Sequence, residues 1–435
     1  MKSQFRTAFL TLLLLSIPLF AQADGHASVR PEKVGLSSER LAELGRVMQG
    51  YVDRDEVAGV TVLIARKGKV AYEKSFGMAD KEAGIKMEND AIYRIASMTK
   101  AITSVALMML YEEGKFLLDD PVSKYIPEFK DPKVLIVYRP EDSRFQSYTL
   151  EPAKSEITIR QLLTHTSGIS YGFWGRPYIA EMYRKAGISD GLVQTDGTIG
   201  DMVKKLAKMP LISQPGEVWH YGLSLDVAGY LVEYFSGQTL QDFFHERIFA
   251  PLGMKDTYFF LPQDKIKRLT QVYVPKEGGG IAKLPEEIQT EGDTIYSTSY
   301  HYKGPQTYFS GGAGLVSTAD DYYRFLQMML NRGELNGHRL LGRKTVELMT
   351  VNQIGDLKTF TKGYKFGLGF AVHQGPEYSG RIGSAGEYRW GGFFNTGFWV
   401  DPEEDLICIV MTQTRRILTD IQDKFRVMSY QAIVD

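Results

Sequence analysis

Ser97 and Lys100 stand three positions apart, at the start of the long apolar run 101–111. Serine is a weak nucleophile on its own and needs a neighbouring base. Residues three apart in a helix share a face, so this spacing predicts that Lys100 lies beside Ser97. A helix N-terminus also offers free N–H groups that stabilise a developing oxyanion. The pattern therefore predicts a serine nucleophile whose base is a lysine that burial keeps partly neutral.

A second serine, Ser170, lies in the sequence GISYG at residues 168–172, which fits the G-x-S-x-G nucleophile motif. That motif works where a buried strand runs into the serine and a helix follows directly. The residues before it are typical of a helix end, and the Gly and Pro at 175 and 177 do not favour a helix start. We therefore predict that Ser170 is not the nucleophile.

Tyr221 follows a Pro-Gly turn at 215–216 and precedes an apolar helical pattern at 225–235. A tyrosine at such a junction is usually structural. Held near Lys100, however, its hydroxyl would ionise more easily and could relay the serine proton. We therefore add Tyr221 to the candidate catalytic residues.

Together these segments resemble the serine β-lactamase and penicillin-binding family, whose signature is S-x-x-K, then Y-x-N or S-x-N, then K-T-G. Further segments typical of the family are LLTHTSG at 162–168 and GGAGL at 311–315, and the similarity covers roughly residues 30–430. The resemblance implies an α/β, β-lactamase/transpeptidase-like fold. In that fold an antiparallel sheet flanked by helices is built from both termini, and a helical lobe is inserted.

Two departures from the signature indicate a subclass. Leu223 stands where the family has Asn, and Trp390-Gly391-Gly392 stands where it has K-T-G. Trp390 and Gly391 offer neither the cation nor the hydroxyl that would hold the carboxylate of a β-lactam. In these features the chain is similar to the family VIII carboxylesterases, which have a class C β-lactamase fold.

That resemblance implies a role for each site residue. Ser97 would be the nucleophile, with Lys100 and Tyr221 as the base system. The backbone N–H groups of Ser97 and Phe393 would form the oxyanion hole. A mostly aromatic wall suits esters with hydrophobic parts, and glycines allow close approach of a substrate. The predicted substrate-binding residues are Tyr171, Trp174, Tyr308, Phe309, Trp390, Gly391 and Gly392.

We expect a serine hydrolase that cleaves short-chain or hydrophobic carboxylic esters through an acyl-enzyme. Three alternatives stay open: a β-lactamase or D-amino-acid peptidase, an acyltransferase, and a non-catalytic binding module. The intact Ser97, Lys100 and Tyr221 argue against the last of these.

Composition excludes some classes of function. Lys and Arg total 51 against 52 Asp and Glu, so the formal net charge of -1 does not favour a nucleic-acid partner. The histidines show no paired metal spacing, and no cofactor or metal is expected. The single cysteine, Cys408, lies in an apolar run and is predicted to be a buried core residue. The expected partner is a small-molecule ester or amide, and the oligomeric state stays open.

The N-terminus predicts export. Lys2 and Arg6 precede an apolar stretch at 8–20 and the small-residue pattern AQA at 21–23, which is typical of a cleaved signal peptide. We expect residues 1–23 to be removed and the protein to be periplasmic or secreted, without a stable membrane span.

The remaining pattern predicts the layout of the mature chain. Residues 24–110 and 311–435 would form an α/β lobe, and 111–310 a mainly helical lobe with active-site loops. Strands are expected at 60–65, 70–76, 366–372, 394–400 and 406–412, and helices at 157–163, 200–209, 225–235 and 419–434.

Overall fold

The computed structural model describes residues 28–138, 147–174, 177–416 and 418–435, so the predicted signal peptide lies outside the described residues. The strands, in chain order, are β1 (Gly59–Arg66), β2 (Lys69–Asp80), β3 (Ile85–Lys86), β4 (Tyr93–Arg94), β5 (Lys133–Tyr138), β6 (Ser147–Pro152), β7 (Tyr273–Pro275), β8 (Ile281–Lys283), β9 (Gln289–Glu291), β10 (Thr294–Tyr296), β11 (Val316–Ser317), β12 (Glu334–Leu335), β13 (His338–Arg339), β14 (Tyr364–Phe366), β15 (Ala371–His373), β16 (Tyr388–Gly392), β17 (Thr396–Asp401) and β18 (Leu406–Met411). The helices are α1 (Ser38–Asp53), α2 (Thr99–Glu112), α3 (Ile159–Leu163), α4 (Pro177–Ala186), α5 (Ile199–Leu206), α6 (Ser224–Ser236), α7 (Leu240–Phe244), α8 (Ala250–Leu252), α9 (Ala319–Leu330), α10 (Arg343–Met349), α11 (Pro376–Ser379) and α12 (Ile421–Gln431).

Within the described residues, eight strands form one antiparallel sheet in the order β14-β15-β16-β17-β18-β1-β2-β3. The two ends of the chain meet where β1 pairs with β18, with Leu63 opposite Ile409. The predicted architecture is confirmed, because strands from both ends build the sheet and the helical segment α3–α8 lies between them in sequence.

Side-chain alternation on β1 explains how the sheet is covered on both faces. Val62 and Ile64 pack with residues of α1 and α12, whereas Leu63 packs in the larger core that contains α2 and α9. A strand that is buried on both faces has a nearly continuous run of apolar residues in its sequence. Cys408 of β18 is fully buried on the α1 and α12 side, as predicted, and burial raises the pKa of its thiol.

One predicted strand is wrong. The apolar run 366–372 doubles back on itself, because β14 ends at Phe366 and β15 begins at Ala371, and the two strands pair antiparallel. Gly369 lies in this reversal with a φ of 96°, and a Cβ there would overlap the Ser104 side chain. The run has the apolar content of one strand, but its glycines permit the tight turn that divides it.

The helix predicted after Ser97 is α2, and its residues 99–110 are all buried. Helix α6 packs against it inside the same core. The helices α3 and α5 begin after Thr158 and Thr198, whose side chains accept hydrogen bonds from backbone N–H groups three residues on. In the described part of the chain, no helix combines the length and apolar character needed to cross a membrane.

Candidate active site

Ser97 lies in a 3₁₀ turn, Ala96–Met98, that leads directly into α2. Ala96 has a φ of 41°, a left-handed conformation that costs free energy for a residue with a Cβ. The N–H of Met98 donates to the Ile95 carbonyl at 3.0 Å and closes the turn. Ala96 and Met98 are buried while Ser97 is only half-buried, so the strained turn presents the serine hydroxyl to the cavity.

Lys100 lies beside Ser97, as the spacing predicts. Its Nζ is 3.1 Å from the Ser97 Oγ, 2.7 Å from the Tyr171 hydroxyl and 2.6 Å from the Gly312 carbonyl oxygen. Burial lowers the pKa of the Lys100 ammonium to about 7, although the nearby Asp226 carboxylate acts in the opposite direction. A substantial neutral fraction is therefore present at neutral pH.

The three contacts of Nζ define what a neutral Lys100 does. An uncharged amine has two N–H donors and one lone pair. If the two donors go to the Tyr171 oxygen and the Gly312 carbonyl, the lone pair is left for the Ser97 hydroxyl. The arrangement therefore suits Lys100 as an acceptor of the Ser97 proton.

The Tyr221 hydroxyl accepts a hydrogen bond from the Trp390 indole N–H at 3.2 Å, and the neighbouring Ser97 and Tyr171 hydroxyls act to lower its pKa. Lys100 Nζ lies over the Tyr221 ring, 4.6 Å from its centroid. Burial raises the pKa of Tyr221, so the expectation that a nearby lysine would ease its ionisation is wrong. Tyr221 stays protonated at neutral pH, and its O–H is a donor close to the Ser97 oxygen.

Asp226 of α6 is a fully buried carboxylate behind Lys100. One of its oxygens accepts hydrogen bonds from the Ser310 hydroxyl at 2.6 Å and the Tyr308 hydroxyl at 3.1 Å. Burial raises the pKa of Asp226, while its hydrogen bond with Ser310 and the charge of Lys100 lower it.

A cavity of about 590 Å³ opens beside Ser97. Of the predicted site residues, those that line this cavity with Ser97 are Tyr171, Trp174, Tyr221, Trp390, Gly391, Gly392 and Phe393. Lys100 lies behind them in contact with Ser97 and Tyr171. The fold thus brings together segments that lie almost 300 residues apart in the sequence.

Tyr308 and Phe309 do not line this cavity, which corrects their prediction as substrate-binding residues. Tyr308 is buried, and its hydroxyl is used by Asp226. Phe309 packs edge-on against Phe259, with ring centroids 5.4 Å apart. Both side chains pack in the core instead of forming the wall of this cavity.

The sequence did not single out Phe360, which closes the aromatic part of the cavity. Its ring is 5.7 Å from that of Trp174 and 6.0 Å from that of Trp390. Phe360 is 60% exposed and Trp174 is 48% exposed, although each packs on the other. No local pattern marks this loop residue, since it reaches the site only through tertiary packing.

Polar residues of the cavity wall were also missed, among them Asp190, Thr396, Arg415 and Gln422. Asp190 accepts a hydrogen bond from the Gly172 N–H at 2.8 Å and so holds the loop that carries Tyr171. Burial raises the pKa of the Asp190 carboxyl to about 7. Arg415 lies 4.3 Å over the Phe393 ring and pairs with Glu291.

The end of β16 is fitted closely to the serine turn. A Cβ on Gly392 would overlap the Ile95 carbonyl oxygen and the Thr396 hydroxyl, so only glycine fits there. This approach brings Phe393, the next residue, close to the turn that carries Ser97. The arrangement suits the oxyanion hole that the resemblance implies, built from the N–H groups of these two residues.

Ser170, the competing serine, is fully buried away from this cavity. Its hydroxyl donates to the Tyr171 carbonyl at 2.9 Å and lies 3.0 Å from the His220 ring. Among the described residues no strand leads into Ser170, and the next helix begins only at Pro177. The geometry required of a nucleophile elbow is therefore missing.

A serine and a lysine at the start of a buried helix, facing the end of strand β16 of an antiparallel sheet, define a serine hydrolase with a β-lactamase-like fold. The sequence matches the Beta-lactamase family over residues 44–431. The chain belongs to this family.

Its relatives include esterases and acyltransferases. The chain is 31% identical to Esterase EstB of Burkholderia gladioli over 398 residues, covering 89% of this chain and 94% of that protein. It is 30% identical to Acyltransferase calJ of Penicillium decumbens, covering 77% and 79% of the two chains. The solved structure of EstCE1, a hydrolase with promiscuous acyltransferase activity, superposes with a TM-score of 0.77 at 26% identity and covers 90% of this chain and 99% of that one.

Proposed function

We propose that this serine hydrolase cleaves short-chain or hydrophobic carboxylic esters through an acyl-enzyme on Ser97. The observation that carries the proposal is the position of Lys100 Nζ, 3.1 Å from the Ser97 Oγ, with the lysine pKa lowered to about 7. A base whose pKa lies near the working pH is partly unprotonated. It can therefore accept the serine proton and later release it to the leaving group.

In acylation, the Ser97 oxygen attacks the ester carbonyl carbon and its proton passes to Lys100. The negative charge that develops on the carbonyl oxygen is stabilised by the N–H groups of Ser97 and Phe393. The C–O bond to the alcohol then breaks. The departing alkoxide receives the proton held by Lys100, with the Tyr221 hydroxyl beside Ser97 as the relay.

Deacylation uses the same groups with water in place of the alcohol. Water attacks the acyl carbon and gives a proton to the Lys100 and Tyr221 system. The bond from the acyl carbon to the Ser97 oxygen then breaks, and Ser97 regains its proton. The products are one carboxylic acid and one alcohol for each water consumed.

The walls of the cavity favour neutral esters over β-lactams. Trp390 occupies the first position of the K-T-G signature, and its indole N–H is already used by Tyr221. Gly391 adds no hydroxyl. A carboxylate directly beside the scissile bond therefore loses the charge-assisted hydrogen bonds it would have at K-T-G, each worth tenfold or more in affinity.

The nucleophile is tested by labelling. A p-nitrophenyl phosphonate should add to Ser97, as located by peptide mass spectrometry, and Ser97→Ala should abolish both labelling and esterase activity. Ser170→Ala is the matched control, since it removes a serine hydroxyl that is buried and does not line the cavity. An adduct on Ser170 would exclude the proposed nucleophile.

The substrate class is tested with purified protein on p-nitrophenyl butyrate, penicillin G, a chromogenic cephalosporin and a D-alanyl amide. We expect kcat/KM for the butyrate to exceed that for penicillin G by at least about tenfold, from the lost contacts described above. A higher kcat/KM for either β-lactam would replace the esterase proposal with a β-lactamase.

Acyl transfer to an alcohol is a second candidate, supported by the acyltransferase relatives and by a cavity roomy enough for an acyl group and an acceptor. Adding a primary alcohol to the butyrate assay should then yield the new butyrate ester, measured by gas chromatography. Unchanged release of free butyrate alone would restrict the enzyme to hydrolysis.

We also propose that the protein is exported, on the basis of the N-terminal pattern at residues 1–23. The mature protein should begin at Asp24. N-terminal sequencing of the protein from its native cell envelope or medium tests this, and an intact Met1 in that fraction would contradict it.

A further inference from the structure

The cavity has a polar branch that neutral esters leave unused. Strand β15 pairs with Tyr388 and Arg389 of β16 but not with residues 390–392. The edge of β16 beyond Arg389 is therefore open to the cavity. Successive residues of a strand point to opposite faces, so Arg389 and Gly391 share the face opposite to that of Trp390.

Two glycines keep this branch open. Gly391 lies directly opposite Gly397 of β17, so neither strand places a side chain on the sheet at these two positions. A Cβ on Gly397 would lie 2.9 Å from the Gln422 Oε1 of α12. The branch is thus bounded by Arg389 on the strand and Gln422 on the helix, both of which line the cavity.

Arg389 carries a charge that the protein itself does not balance. Its guanidinium lies over the Tyr364 ring, 5.5 Å from the centroid, and among the described residues it forms no ion pair. The acids on the neighbouring elements are engaged elsewhere, since Glu387 binds Arg426 and Asp423 binds Arg381. A half-buried cation without a carboxylate partner on a cavity wall has donors that are free to receive an anion.

We propose that Arg389 is a specificity residue for esters that carry a second, free carboxylate at the far end of a chain, such as half-esters of dicarboxylic acids. The planar guanidinium matches a carboxylate in shape and charge. Because Arg389 points to the opposite face of β16 from Trp390, it serves a carboxylate separated by a chain from the scissile carbonyl. The carboxylate of a β-lactam lies beside the scissile bond instead. This inference rests on the proposed esterase function.

Matched substrates test it: mono-p-nitrophenyl glutarate and its methyl ester, methyl p-nitrophenyl glutarate, which differ in one charge. Arg389→Gln should lower the ratio of kcat/KM for the charged over the capped ester by about tenfold to hundredfold, the range for a lost charge-assisted hydrogen bond. Arg389→Lys should restore part of the ratio. Arg343→Gln is the control, since Arg343 is an exposed arginine whose charge is paired with Glu347 and which does not line the cavity. An unchanged ratio in Arg389→Gln, or an equal fall in Arg343→Gln, would overturn the proposal.

A binding measurement separates this proposal from the esterase function. Ser97→Ala should bind monobutyl glutarate at least about tenfold more tightly than the double variant Ser97→Ala/Arg389→Gln, by calorimetry. Equal affinities would refute the role of Arg389 even if ester hydrolysis is established. Tighter binding to Ser97→Ala, together with a wild-type enzyme that hydrolyses neither ester, would refute the esterase function and leave the anion site standing.

Discussion

The Lys100 Nζ lies 2.7 Å from the Tyr171 hydroxyl, closer than it lies to the Ser97 oxygen. Tyr171 therefore has two roles in the site: it forms part of the cavity wall, and it is a hydrogen-bond partner of the base. Since it uses one of the donors of Lys100, it helps to direct the lysine lone pair to the serine.

Removal of the Tyr171 hydroxyl should reduce catalysis without emptying the cavity wall. We expect Tyr171→Phe to lower kcat about tenfold, the loss associated with one hydrogen bond, with a smaller change in KM. Tyr308→Phe is the matched control, because it removes a buried tyrosine hydroxyl that contacts Asp226 and does not reach the cavity. A fall confined to KM in Tyr171→Phe would assign this hydroxyl to substrate binding instead.

The pH dependence should report Lys100. Burial lowers its pKa to about 7, and the neutral amine is the active form, so kcat/KM should rise with pH through about 7 and level off above it. The pH profile of p-nitrophenyl butyrate hydrolysis measures this limb, after subtraction of the spontaneous rate. A profile that is flat between pH 6 and 9 would mean that another group accepts the proton.

Tyr221 and Trp390 should act as a unit. Tyr221→Phe removes the proposed proton relay and should lower kcat/KM by ~10² or more. Trp390→Phe keeps an aromatic ring but removes the N–H that binds the Tyr221 oxygen, and we expect a loss of roughly tenfold.

The double variant distinguishes coupling from independent effects. If the indole acts through Tyr221, adding Trp390→Phe to Tyr221→Phe should lower kcat/KM little further. Strictly multiplicative losses would contradict the coupling and indicate that Trp390 contacts the substrate on its own.

Gly392 should tolerate no side chain. In Gly392→Ala the new methyl group overlaps the Ile95 carbonyl oxygen, so the serine turn must shift, with a cost of about 1–3 kcal/mol in stability and a large loss of activity. Gly391→Ala is the neighbouring comparison, since its methyl group would meet just one atom, the Thr396 carbonyl oxygen at 3.0 Å. Thermal unfolding and butyrate hydrolysis measure both, and equal effects would show that the fit at Gly392 is not special.

The sequence determined the parts of the site that local spacing controls. Ser97 and Lys100 share one helix start, so their proximity follows from helical geometry alone. The exclusion of Ser170 was equally local, because it depended on the missing strand and helix on either side of that serine. The confirmed fold class came from segments whose order along the chain is enough to indicate a family.

Tertiary structure decided the contacts between distant segments. Whether Tyr171, Tyr308 or Phe309 reaches the cavity depends on how the helical segment packs on the sheet, and no periodicity in their own sequence encodes it. The pKa of Tyr221 rises instead of falling, because burial outweighs the hydrogen bonds that its oxygen receives. The Arg389 guanidinium likewise lacks a carboxylate partner because the fold pairs Glu387 and Asp423 with other arginines. Such effects depend on which atoms surround a group in space, and distance along the chain does not report that.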